Sequence, residues 1–179
     1  GFCGELELVT CNPHEAGPEL LTHNPMSRVP TLVCDDGTSL YDSPVICEWL
    51  DCRGQGAPLI PVSGPERWAV LRVQALADGM MDDAVANVME SRRPEGRQSL
   101  EQMALRTDAL LRCAKVLGSD LAAIEGRLSL AQIAAGCALA YLDFRLPGLD
   151  WRDGNQGLGS WFEGFSRRPS MQSTRPDAA

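Results

Sequence analysis

Two short steps in the first third of the chain combine residue types that can hold a ligand. Val29-Pro30 enters an apolar run, Thr31-Leu-Val-Cys34, and Asp42-Ser43-Pro44 opens a helical one. A helix N-terminus offers free N–H groups and the positive end of the macrodipole, so it can receive a carboxylate. Ser43 can add its hydroxyl to such a site. It can equally serve as N-cap ahead of Pro44 at the first helical position, with no ligand at all. By itself Val29-Pro30 reads as a proline shaping a strand entry, because cis bonds occur at only ~5–6% of such steps. Arg28, directly before it, is one of only two bases in residues 1–62. A third place is Ala77-Asp78-Gly79-Met80-Met81-Asp82. Its acids read as solvated helix residues. Its mid-helix glycine costs ~1 kcal/mol relative to Ala and suggests close packing or a kink. Met80, Met81 and Met89 read as core, their other use being to line an irregular apolar site.

Composition limits what these residues can serve. The 179-residue chain is 44% apolar, 22% charged and 6% aromatic, ordinary for a globular protein. Its formal net charge is −8. Residues 1–62 hold nine acids against Arg28 and Arg53, a net of −7, and residues 63–179 hold fifteen acids against fourteen bases, a net of −1. An acidic first part repels phosphate backbones, so nucleic acid is not an expected partner. The seven cysteines (Cys3, Cys11, Cys34, Cys47, Cys52, Cys113 and Cys137) include no C-x-x-C, and Cys34, Cys47, Cys113 and Cys137 sit in apolar patterns. They read as buried, reduced thiols of a cytoplasmic protein. Only His14 and His23 are present, without ligand spacing to a cysteine pair, so no metal is expected. The longest uncharged run, Leu128 to Leu142, is shorter than the ~20 residues of a membrane span and reads as a buried helix.

The elements that must position the two steps follow from periodicity. Glu5 to Val9 alternates polar and apolar residues, the pattern of a half-buried strand. Pro13 to His23 reads as a short helix or turn-rich segment. Thr31–Cys34 and Ser39–Tyr41 are two short strands joined by Asp35-Asp36-Gly37-Thr38, whose Asp-Gly pair suits a tight hairpin. A helix then runs through Leu50, with Ser43 as its N-cap and Pro44 its first residue. The acidic part, residues 1–57, is one domain, and the proline-rich 58–64 is a linker. Residues 65–179 read as all helical. One helix covers about Pro65 to Met89, with Val73, Leu76, Met80, Ala84 and Val88 on one face. A second covers Ser99 to Leu117, and a third starts at Ser129-x-x-Gln132, both with capping-box openings. The third is apolar on all sides and should be central. Trp161, Phe162 and Phe165 mark a last short helix, and Ser170 to Ala179 reads as a fraying tail.

The stretch Asn24 to Asp51, NPMSRVPTLVCDDGTSLYDSPVICEWLD, resembles the glutathione-binding half of the glutathione transferase family. Downstream, Gly126-Arg-Leu-Ser-Leu-Ala-Gln132, Tyr141-Leu-Asp-Phe-Arg145, Leu149-Asp-Trp151 and Arg168-Pro-Ser170 look like the helical half of a bacterial member. The resemblance implies an α+β protein: a thioredoxin-like α/β domain followed by an all-α domain. It implies a cis Pro30, with the Val29 backbone pairing to the cysteinyl backbone of glutathione. Ser43 would bind the γ-glutamyl carboxylate, Asp42 the ammonium, and Arg28 would lie near the glycyl carboxylate. Asp82, with Asp78 as the alternative, would reach the glutathione ammonium of a second copy across a homodimer. Where the family usually has Asp, this chain has Gln132, which still completes a capping box.

In the family the group that activates the thiol follows a first, central strand. Matching Glu5–Val9 to the second strand leaves that first strand and helix out, so the catalytic residue is expected upstream of Gly1. A Ser or Tyr there implies a transferase that conjugates glutathione, as co-substrate, to small hydrophobic electrophiles in detoxification. A Cys implies a glutathione-dependent thiol reductase. Without thiol activation the fold implies a binding or adaptor protein, and an inactive fragment is the third reading of a chain short of its first strand. Cys3 and Cys11 flank the second strand and are poor substitutes for the missing group.

Overall fold

The computed structural model describes residues 5–13, 15, 17–120 and 126–175. Cys3 and His14 lie outside them. The chain divides into two compact units between Val62 and Ser63, inside the proline-rich segment.

The elements of unit 1 are a short helix α1 (Pro18–His23), strands β1 (Leu32–Val33) and β2 (Ser39–Leu40) and helix α2 (Ser43–Arg53). The strands pair antiparallel, Leu32 with Leu40 and Val33 with Ser39. Their turn is the expected one: Gly37 takes φ +84° and its N–H meets the Cys34 carbonyl at 2.8 Å. Glycine suits this left-handed position because a Cβ would be strained there. The Asp36 carboxylate accepts the Thr38 N–H at 2.9 Å, and that hydrogen bond holds its pKa below the usual carboxylate value.

The expected strand at Glu5–Val9 does not form. Alternation marks a chain with two unlike faces, but a strand needs a neighbour for its backbone N–H and C=O groups. The only ladder among the described residues is β1–β2. Leu6, Leu8 and Val9 are correspondingly exposed. Unit 1 in fact buries little: among its described residues only Asn24, Ile46 and Ile60 are buried. Asp51 ties down the end of the unit, its two carboxylate oxygens accepting the Leu59 and Ile60 N–H groups at 2.6 and 2.9 Å.

Unit 2 contains α3 (Pro65–Ser91), a short 3-10 turn (Glu95–Arg97), α4 (Leu100–Ser119), α5 (Leu130–Arg145), α6 (Gln156–Phe165) and α7 (Pro169–Ser173). The last of these forms where a fraying tail was expected, with Pro169 in its first turn. α3 packs chiefly along α5 and secondly against α4. Its buried side is Val70, Val73, Gln74, Ala77, Met80, Ala84 and Asn87, so Leu76 and Val88 sit at the margin instead of in the core. Gly79 is exposed, and a Cβ there would meet nothing within 4 Å. It marks neither close packing nor an interruption, since α3 runs through it unbroken.

α5 is the most buried helix, contributing Leu130, Ala131, Ala134, Ala135, Ala138, Leu139 and Leu142 to the core. It opens as expected, with Gln132 Oε1 accepting the Ser129 N–H at 3.0 Å. Its apolar residues do not all face inward, however. Ile133, Cys137 and Tyr141 share a stripe turned away from the core, so Cys137 is exposed, while Cys34, Cys47 and Cys113 are half-buried. At α4 the Gln102 N–H reaches Ser99 Oγ at 3.4 Å, but the Ser99 N–H turns to Glu90 Oε1 at 2.7 Å instead of to Gln102. Among the described residues no helix is long and apolar enough to cross a membrane.

Candidate functional site

The hairpin register explains why the two ligand-holding steps belong together. Leu32 pairs with Leu40 and Val33 with Ser39. Arg28–Pro30 therefore enters, and Asp42–Ser43 leaves, the same end of the ladder. Val29-Pro30 is cis, as expected, and Tyr41-Asp42 is cis as well. Arg28, Val29 and Pro30 are all exposed, Val29 at 50%.

Helix α2 begins one residue earlier than expected. The Asp42 carbonyl accepts the Ile46 N–H at 3.1 Å, which makes Asp42 the N-cap and Ser43 the first helical residue. The Asp42 side chain makes no capping hydrogen bond. A helix start of this kind can take a carboxylate on its first-turn N–H groups. Asp42 is exposed and Ser43 half-buried. Asp82 lies exposed on α3 in unit 2, and Asp78 is half-buried on the same helix.

Below the exposed loop sits a residue to which the sequence assigned no role. Asn24 is 0% exposed. Its Oδ1 accepts the Met26 N–H at 3.0 Å, and its Nδ2 donates to the Arg28 carbonyl and to Thr31 Oγ1, both at 3.1 Å. Thr31 Oγ1 itself donates to the Arg28 carbonyl at 2.9 Å. The Asn-Pro dipeptide at 24–25 signals a turn, and a side chain bonding its own backbone two residues on is how Asn makes one. That much was available from sequence; the burial was not.

The loop passes through a left-handed residue, Ser27, at φ +53°, whose hydroxyl donates to the Pro13 carbonyl at 3.2 Å. An L-residue there carries a penalty of roughly 1–2 kcal/mol that glycine avoids. Both Ser27→Gly and Ser27→Ala lose the hydroxyl, so their difference isolates the backbone. Ser27→Gly is expected to be the more stable of the two by about 1 kcal/mol in urea denaturation. Equal stabilities would show that the loop relaxes out of the left-handed region.

Two thiols of unit 2 are shifted away from reactivity. Burial, with a smaller contribution from the Asp78 carboxylate, raises the Cys137 pKa although part of the residue reaches solvent. Burial, then Asp83, raises that of Cys113. Reactive cysteines need the opposite shift. No group of three or more His, Cys, Asp or Glu is placed to hold a metal ion among the described residues.

Comparison with known proteins agrees with this architecture. Residues 4–53 match the model of the glutathione S-transferase N-terminal domain, and residues 93–164 that of its C-terminal domain. The chain is 31% identical to the GST-like protein YibF of Escherichia coli (strain K12) over 178 residues, 97% of this chain and 87% of that one. A glutathione transferase family member from Pseudomonas fluorescens Pf-5, solved with bound glutathione, is 38% identical with a TM-score of 0.89, over 94% of this chain and 83% of that one. A glutathione S-transferase from Methylobacterium radiotolerans, in complex with glutathione sulfonate, is 30% identical with a TM-score of 0.88, over 97% and 84%. The α+β chain, with a thioredoxin-like first domain and a helical second domain, belongs to the glutathione S-transferase family.

Proposed function

We propose that the chain binds glutathione on unit 1 and that the glutathione thiolate attacks small, largely apolar electrophiles. The observation that carries this reading is the glutathione held by the Pseudomonas fluorescens relative at 38% identity across 94% of this chain. The local geometry supports it. The exposed Val29 backbone, beside cis Pro30, offers one N–H and one C=O to the cysteinyl residue, as in strand addition. Ser43 and the first-turn N–H groups of α2 take the γ-glutamyl carboxylate, and Asp42 takes its ammonium. Arg28 serves the glycyl carboxylate, a local cation on a unit whose net charge would otherwise repel an anion. In a homodimer, Asp82 of a second copy supplies a further acid for the ammonium. None of these residues is assigned to the sulfur. A thiol of pKa near ~8.5 needs a hydrogen-bond donor to ionise at neutral pH. We place the protein in the cytoplasm, where reduced glutathione and free thiols coexist.

Calorimetric titration with glutathione tests the reading. Ser43→Ala is expected to weaken binding at least about tenfold, ~1.4 kcal/mol. A change of less than about twofold would remove Ser43 from the site. Turnover of a nitro-activated aryl halide, followed by absorbance, then separates a transferase from a binding protein. Binding without turnover would favour the binding protein.

A further inference from the structure

Asn24 is the one fully buried polar side chain among the described residues of unit 1. Both of its amide hydrogens are used, on the Arg28 carbonyl and Thr31 Oγ1, and its oxygen holds Met26. Its backbone is fixed too: its N–H reaches the Leu20 carbonyl at 2.7 Å, and its carbonyl accepts the Ser27 N–H at 2.9 Å. The two side-chain donations converge on the Arg28 carbonyl, which belongs to the peptide group that carries the Val29 N–H: one reaches it directly and the other through the Thr31 hydroxyl. Arg28, Val29 and Pro30, by contrast, are exposed.

We propose that Asn24 is the positioning residue of the Val29 rung. It holds the Arg28–Val29 peptide by its carbonyl and, through the Thr31 hydroxyl, anchors the chain two residues beyond Val29, so that the rung offered to a peptide ligand is already set. Backbone pairing tolerates little error, since N–H···O bonds hold within about 2.7–3.2 Å. A loop ordered before binding spares the ligand the entropy of ordering it. The chemistry requires an amide: a carboxylate of the same shape would turn an acceptor toward the Arg28 carbonyl and lose both donated bonds. The proposal rests on the reading of unit 1 as a glutathione-binding surface and names the group that shapes it.

The test compares two ligands on the full chain by calorimetry and NMR titration. Glutathione needs the Val29 rung, whereas γ-glutamylmethylamide carries the γ-glutamyl end but lacks the cysteinyl residue. Asn24→Asp is expected to weaken glutathione at least about tenfold and the fragment less than about twofold. Thr31→Val keeps the side-chain shape and removes one arm of the network, so about a threefold loss for glutathione alone is expected. If Asn24→Asp abolishes the cooperative melt, Thr31→Val decides the matter by the same comparison. Equal losses for both ligands would reduce Asn24 to general support of the unit and overturn the proposal. So would unchanged glutathione binding in a folded variant while Ser43→Ala still weakens it, and that outcome leaves the glutathione reading standing. A folded wild-type chain that binds no glutathione overturns both.

Discussion

Trp151→Ala is expected to lower the stability of the chain by about 4 kcal/mol, the upper part of the range for removing a large buried aromatic. Trp151 is 0% exposed and lies in the connection between α5 and α6. Its ring meets Phe162 edge-on, with centroids 5.7 Å apart at 76°. The Arg152 guanidinium covers it at 4.0 Å. Leu158, 1% exposed, comes from the same helix as Phe162. Removing the indole therefore opens a cavity where α6 is fastened to the rest of unit 2, a fastening that involves few other contacts. The loss is read from urea denaturation followed by far-UV circular dichroism, on the transition that carries most of the helical signal. Trp68→Ala is the control: Trp68 is 67% exposed, so a change within about ±0.5 kcal/mol is expected. A loss under about 2 kcal/mol at Trp151 would mean that α6 collapses into the space.

The contrast between these two tryptophans shows what was and was not legible in the sequence. Periodicity placed α3, α4 and α5, because a helical face repeats within one segment and needs no knowledge of its neighbours. Local chemistry placed the hairpin at Gly37 and the Gln132 cap on α5, since each depends on residues within four positions. What failed were statements requiring a partner. Glu5–Val9 has strand alternation and no paired strand. Cys137 sits in an apolar sequence but on the one stripe of α5 that faces outward. Gly79 suggested a close approach, and nothing approaches it. At the candidate site Arg28, Val29, Pro30, Asp42 and Ser43 could be singled out because they form contiguous motifs. Asn24 was not, because a polar residue beside proline gives no sign of burial, and its three side-chain partners are spread over residues 26–31. The shift of the α2 N-cap from Ser43 to Asp42 is a different kind of miss. Both residue types cap well, and only the Asp42–Ile46 hydrogen bond decides between them.

Asp143→Ala is expected to cost about 2–3 kcal/mol at pH 7, chiefly by stranding the buried indole N–H. Trp151 Nε1 donates to Asp143 Oδ1 at 2.8 Å, and the Arg152 guanidinium binds the same carboxylate through both Nη atoms, at 2.8 and 2.6 Å. The ion pair itself contributes less, because the two side chains are 42% and 36% exposed, and exposed pairs are worth at most ~1 kcal/mol. Asp143→Asn separates the two contributions. Its amide oxygen still accepts from the indole, while its NH2 cannot accept from Arg152 Nη2, so the charge and one arm of the exposed ion pair are lost together, and about 1 kcal/mol is expected at pH 7. Burial by itself would raise the Asp143 pKa, but the hydrogen bonds from Arg152 and Trp151, with the guanidinium charge, outweigh it and hold the value below the ordinary one. A carboxylate whose folded pKa is depressed stabilises the fold above its unfolded pKa of ~3.9 and loses that contribution as pH falls through the folded value. The gap between wild type and Asp143→Asn should therefore be constant from pH 7 down to about pH 5 and close below about pH 4. Urea denaturation of both proteins across that range measures it. A gap that persists unchanged to pH 3 would show that geometry, and not charge, is what Asp143 supplies to Arg152.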